Sequence, residues 1–130
     1  MKRLMFLFAL IIGGVNFAHA QIYVDGQKIK VEALNYIEVE FFNVVGSNEV
    51  KAFIDYGQSI SFLERKKRLI SDRKGKAMVY NSKVQGLNWL YANGWEVTEV
   101  YNPRTGGDAV NNDLIYLLKR VKGVEIQLEE

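Results

Sequence analysis

A chain of 130 residues with 48% apolar and 25% charged side chains, net charge +2 and no cysteine has the make-up of one globular domain. That composition excludes intrinsic disorder, a collagen-like repeat and a disulfide-stapled scaffold.

The first 20 residues read as a secretory signal peptide. Lys2 and Arg3 form a positive start, Leu4–Val15 is an uncharged apolar run, and Ala18-His19-Ala20 is an A-x-A cleavage site. The run is 12 residues long, short of the roughly 20 needed to span a bilayer. Cleavage is therefore expected before Gln21, giving a periplasmic or secreted protein with no transmembrane span. Residues 21–130 then form a single domain of 110 residues with 15 basic and 15 acidic side chains, and with neither histidine nor cysteine. Ser-His-Asp and Cys-His catalysis are closed to such a chain, and zinc and copper lose their preferred ligands.

The predicted elements follow in order. Asp25-Gly26 separates two apolar stretches and suits the positive φ angles of a two-residue hairpin turn. Tyr36–Phe41 alternates, with Ile37, Val39 and Phe41 on one side and Glu38 and Glu40 on the other, which is a half-buried strand. After Gly46-Ser47-Asn48, Val50–Tyr56 forms its antiparallel partner. Ser59–Phe62 is a candidate short strand. Leu69–Ser71 and Ala77–Tyr80 flank Asp72-Arg73-Lys74-Gly75-Lys76, a candidate hairpin loop.

Ser82-Lys83-Val84-Gln85 matches a capping box and opens a helix. Val84, Leu87 and Tyr91, with Leu90 adjoining, predict its buried face, and Gly94 its left-handed end. A strand from Trp95 to Tyr101, a polar loop Asn102–Asp113 and a central strand Leu114–Val121 complete the chain, with Glu125–Glu130 expected to fray. The fold class expected is α+β: a mostly antiparallel sheet with one main helix packed on one face, in two layers.

Leu87-Asn88-x-Leu90-x-x-x-Gly94-Trp95-Glu96-Val97 followed by Tyr116-Leu117-Leu118-Lys119-Arg120 resembles the signature of small secreted bacterial domains of unknown function. Asp55-Tyr56-Gly57-Gln58 and Asp72-x-x-Gly75-Lys76 are similar to upstream pieces of the same proteins. The resemblance implies a helix on an antiparallel sheet and no activity. The long 102–113 loop and the N-terminal strands depart from it.

Four constellations bear on chemistry. Glu38 and Glu40 share a strand face about 7 Å apart, and on the later strand Glu96 and Thr98 are expected to share a face with Glu99 opposite. A glycan hydrolase needs such a pair, but alternating Glu is also how a half-exposed strand stays solvated. Asp108, Asn111, Asn112 and Asp113 offer oxygen donors for Ca²⁺ without the glycine and closing glutamate of an EF-hand loop, so a polar loop is the better reading. Gly106-Gly107 lacks the context of a phosphate loop. Residues 64–83 carry 8 basic and 2 acidic side chains, so Arg65, Lys66, Lys67, Arg68, Arg73, Lys74 and Lys76 form a candidate anion-binding segment.

No catalytic residue, cofactor or metal ligand is assigned. The sequence favours a small exported, non-enzymatic binding or assembly domain, with a carboxylate-based glycan hydrolase or an anion-binding module as alternatives. The partners expected are an envelope or extracellular protein or glycan. Export and the neutral total disfavour nucleic acid.

Overall fold

The computed structural model describes residues 21–59, 61, 64–103 and 114–121. The leader, part of the Ser59–Phe62 stretch, most of the 102–113 loop with its candidate calcium donors, and the tail lie outside the described residues. The class is α+β, as the alternation of strands and a single capped helix predicts. The expected sheet is divided in two.

The smaller sheet pairs β1 (Tyr23–Val24) with β2 (Gln27–Lys28) and with β5 (Ile70–Ser71), in the order β2-β1-β5. Val24 faces Gln27 across the turn. Asp25 and Gly26 hold φ of 50° and 77°, the left-handed pair that a two-residue turn needs to match strand twist. Gly26 is also pressed by its surroundings, since a Cβ there would lie 3.1 Å from the Gly75 nitrogen. Its own N–H donates to Ser71 Oγ at 2.8 Å, and that hydroxyl donates to the Asp72 carbonyl. Ser71 is buried and thereby fully used, as an interior hydroxyl must be.

The larger sheet holds β3 (Tyr36–Asn43), β4 (Val50–Asp55), β6 (Trp95–Tyr101) and β7 (Ile115–Arg120), all antiparallel, in the order β4-β3-β7-β6. The period of two in β3 is realised: Ile37, Val39 and Phe41 are buried and the residues between them are not. β7 occupies the centre that its apolar density predicts. The two sheets touch at β4 through isolated bridges, Phe53 to Leu69 and Val50 to Tyr80. Ala77–Tyr80 is therefore not a strand. Ala77 bridges Ser71, and Tyr80 then swings across to exchange two 2.8 Å backbone hydrogen bonds with Val50.

Helix α1 (Lys83–Ala92) begins where the capping signal places it: Ser82 Oγ accepts from Gln85 N–H at 3.1 Å. Gln85 Oε1 reaches one residue further back than a standard box and accepts from Asn81 N–H at 2.6 Å. Gly94 turns out of the helix with φ 85°, its N–H donating to the Tyr91 carbonyl, a left-handed exit that costs glycine nothing.

The predicted buried face of α1 is corrected by the structure. Val84 and Tyr91 are exposed, Leu87 is half-buried, and Gly86 and Leu90 face the core. Space decides this. A Cβ at Gly86 would sit 2.3 Å from Phe41 Cε1, so the helix seats on its glycine. Periodicity of apolar side chains does not register a residue that contributes room.

One continuous core results. Ile37, Val39, Phe41, Ala52, Ile54 and Leu118 from the large sheet meet Ile22, Val24, Ile29, Val31 and Ile70 from the small-sheet side, with Leu90, Trp95 and Tyr80 from the helix region. Tyr80 and Tyr116 pack edge-on against Phe41, at 6.3 and 5.7 Å between ring centres. Among the described residues no helix is long and apolar enough to cross a membrane.

Candidate recognition face

The helix and the small sheet bury their apolar side chains under one face of the large sheet. The opposite face presents its side chains in cross-strand rows fixed by register. Phe53, Glu40, Ile115 and Tyr101 form one row; Asp55, Glu38, Leu117 and Glu99 the next; Tyr36, Lys119 and Glu96 a third. Phe42 and Lys51 pair beyond the first row. A solvated face needs only polar residues, yet six large apolar or aromatic side chains stand here among five carboxylates and two lysines.

Glu38 and Asp55 lie directly opposite one another, an arrangement in which like charges repel. Each has a donor. Tyr101 O–H donates to Glu38 Oε1 at 2.5 Å, and Gly57 N–H donates to Asp55 Oδ1 at 2.9 Å. The bond to Glu38, with some burial and the nearby carboxylates, pushes the Tyr101 phenol up to about 12. Tyr80 is raised as well, by burial alone.

A raised phenol stabilises the fold only while the native state holds a proton that the unfolded chain would release. The contribution of Tyr101 is therefore complete below pH about 10 and is lost as pH rises through about 12. Tyr101→Phe is expected to remove one late phenol from an ultraviolet difference titration and to flatten the fall in stability across that interval. Persistence of both late phenols in the variant would refute the pairing.

Two shallow depressions meet at Tyr36. One, of about 570 Å³, is lined by Asn35, Tyr36, Glu96, Lys119, Arg120 and Val121. The other, of about 410 Å³, runs over Glu38, Asp55, Tyr56 and Leu117. The rings of Phe42 and Phe53 stack 4.4 Å apart at the rim, and the Arg68 guanidinium lies over Phe53 at 5.6 Å, a cation–π contact.

The seven basic residues singled out in the sequence fall into two groups. Arg65–Arg68 form a 3-10 turn beside β4. Arg73, Lys74 and Lys76 sit on the Asp72–Lys76 loop, where Asp72 Oδ1 accepts from the backbone N–H groups of Lys74 and Lys76. Several cations are engaged within the fold. Lys67 bonds Glu64 at 2.5 Å and holds that carboxyl below the usual carboxylate range. Arg68 covers Phe53. Arg73 lies over Tyr23 and donates to Gln21 Oε1.

Of the carboxylates, Glu38 and Glu40 do share a strand face, whereas Glu99, expected opposite Glu96, joins it on the outer face because the register of β6 shifts between Val97 and Glu99. The closer partner of Glu38 is Asp55, which pattern along one strand does not reveal because the pairing is set by β3–β4 register. Tyr101 joins the same site from 63 residues away. No three or more metal-ligating side chains converge among the described residues. Comparison of the chain with protein-family models, with curated proteins and with solved structures finds no match.

Proposed function

We propose that residues 21–130 are an exported, non-enzymatic binding domain that engages an envelope or extracellular partner through the outer face of the large sheet. One observation carries this reading: six apolar or aromatic side chains, Tyr36, Phe42, Phe53, Tyr101, Ile115 and Leu117, stand in register on a face that the helix and small sheet leave open. An apolar area of that kind with a polar surround is characteristic of an interaction surface. The leader supplies the address, with cleavage after Ala20.

The test is retrieval from envelope and medium fractions by the immobilised 21–130 chain, run beside a Tyr36→Ala/Leu117→Lys variant. One stoichiometric partner, lost in the variant, supports the proposal. Retrieval indifferent to the variant removes the face from consideration, and a natural product retaining residues 1–20 in the cytosol removes export.

The opposition of Glu38 and Asp55 favours a second reading, a carboxylate-based glycan hydrolase. Neighbouring strands bring paired carboxylates close enough for nucleophile and acid. Turnover of a cell-wall or dietary glycan by homogeneous protein, abolished by Glu38→Gln and by Asp55→Asn separately, would replace the binding proposal with that one.

A further inference from the structure

We propose that the outer face binds an uncharged oligosaccharide, laid across the strands of the large sheet with Tyr36 beneath its middle. The inference rests on the outer-face reading above and names the class of its partner.

Geometry sets the path. The two depressions of about 410 and 570 Å³ meet at Tyr36, and each is of a size that holds a small ligand. The first is walled by Asp55 of β4 and Glu38 of β3, the second by Lys119 of β7 and Glu96 of β6. A ligand filling both therefore crosses β4, β3, β7 and β6 in turn. Neighbouring strands stand about 4.8 Å apart, close to the length of one pyranose unit in an extended chain, so successive sugars can meet successive strands. At the centre Tyr36 is 53% exposed. The C–H face of a pyranose stacks on such a ring, whose own face is electron-rich.

Chemistry selects a sugar over a protein. The core of a protein interface is depleted of charged side chains, because desolvating an unpaired charge is costly. Here carboxylates stand in the middle of the face, row by row beside the apolar residues. A sugar hydroxyl answers a carboxylate with a charge-assisted hydrogen bond. The bonds from Tyr101 to Glu38 and from Gly57 to Asp55 each take one carboxylate oxygen, which leaves a second oxygen on each. Glu96 and Lys119 lie directly opposite in the ladder yet form no ion pair among the described residues, so an acceptor and a donor stand side by side. Five carboxylates against two lysines repel an acidic polysaccharide. The complement to this face is a chain that carries hydroxyls and no negative charge.

Titration calorimetry on the purified protein tests this, with the soluble hexamers cut from cellulose and from chitin as probes. At least one hexamer is expected to bind with Kd below about 1 mM. Affinity should rise with chain length to four units, one per strand of the sheet, and level there. Raising salt from about 0.1 to about 1 M, which screens charge attraction, should leave binding unaltered. Tyr36→Ala and, separately, Glu96→Gln should each weaken it roughly tenfold or more, with circular dichroism unchanged, since both side chains are exposed. Val45→Ala, at a fully exposed residue outside both depressions, should have no effect. Failure of both hexamers to bind at about 10 mM overturns the proposal, while a protein partner still retrieved through the face leaves the outer-face reading standing. Binding that survives Tyr36→Ala, binding indifferent to chain length, or a preference for a glucosamine or polygalacturonate chain that salt abolishes overturns it as well. Cleavage of the hexamers overturns both and installs the hydrolase.

Discussion

Trp95→Ala is expected to lower the unfolding free energy by about 3–5 kcal/mol, the range for deleting a large buried aromatic. Trp95 is buried to 1% exposure and follows immediately on Gly94, so its indole anchors the joint where the helix gives way to β6. Opposite it in the ladder is Arg120, and Leu90 joins it in the core. Truncation would open a cavity beneath the only α-helix among the described residues, at a joint whose backbone is held in register by β7. A domain of this size has about 5–15 kcal/mol in total, so the variant would stand near the limit of folding. Urea titration followed by circular dichroism gives the value. A loss below about 1 kcal/mol, the ordinary surface-to-average range, would mean that the indole does not pack as described.

Gly86→Ala sets two effects of opposite sign against each other. Alanine in place of glycine inside a helix is favoured by about 1 kcal/mol. Against this, the new methyl would lie 2.3 Å from Phe41 Cε1 and 2.8 Å from Cζ. Phe41 cannot retreat freely, being buried with Tyr80 and Tyr116 edge-on against it. Overpacking of a fixed core costs about 1–3 kcal/mol, so the variant is expected to be less stable by roughly 1–2 kcal/mol once propensity is offset. Phe41→Leu should recover part of that loss in the Gly86→Ala background, because neighbours sharing one space are coupled. A more stable Gly86→Ala protein would show that the helix does not rest on the ring.

These two positions also mark how far the sequence can be read. The joint at Trp95 is legible: a capping serine, a glycine exit and an aromatic after it are local signals. The seat of the helix is not. Of Val84, Leu87, Leu90 and Tyr91 only Leu90 is fully buried, because the chosen face includes Gly86 and is set by the bulk of Phe41 some 45 residues earlier. Register is invisible for the same reason. Alternation in β3 tells which side Glu38 takes, while its meeting with Asp55 and Tyr101 depends on all four strands of the large sheet aligning. The division into two sheets follows from Tyr80 pairing with Val50 rather than continuing its hairpin. Charge counting found residues 64–76, but the loop folds around Asp72 and the cations are parcelled between two places.

The shift in β6 between Val97 and Glu99 has a bearing on the life of the protein in a crowded compartment. A strand of seven residues at the border of a sheet, as β6 is among the described residues, is a template on which unfolded chains can nucleate cross-β fibres. Midway along β6 the extra residue exchanges inward for outward orientation, so an arriving chain matched to Trp95–Val97 is mismatched from Glu99 onward. That mismatch opposes growth by accretion, and a chain that has no cysteine to lock its fold keeps a border poorly shaped to template copies of itself.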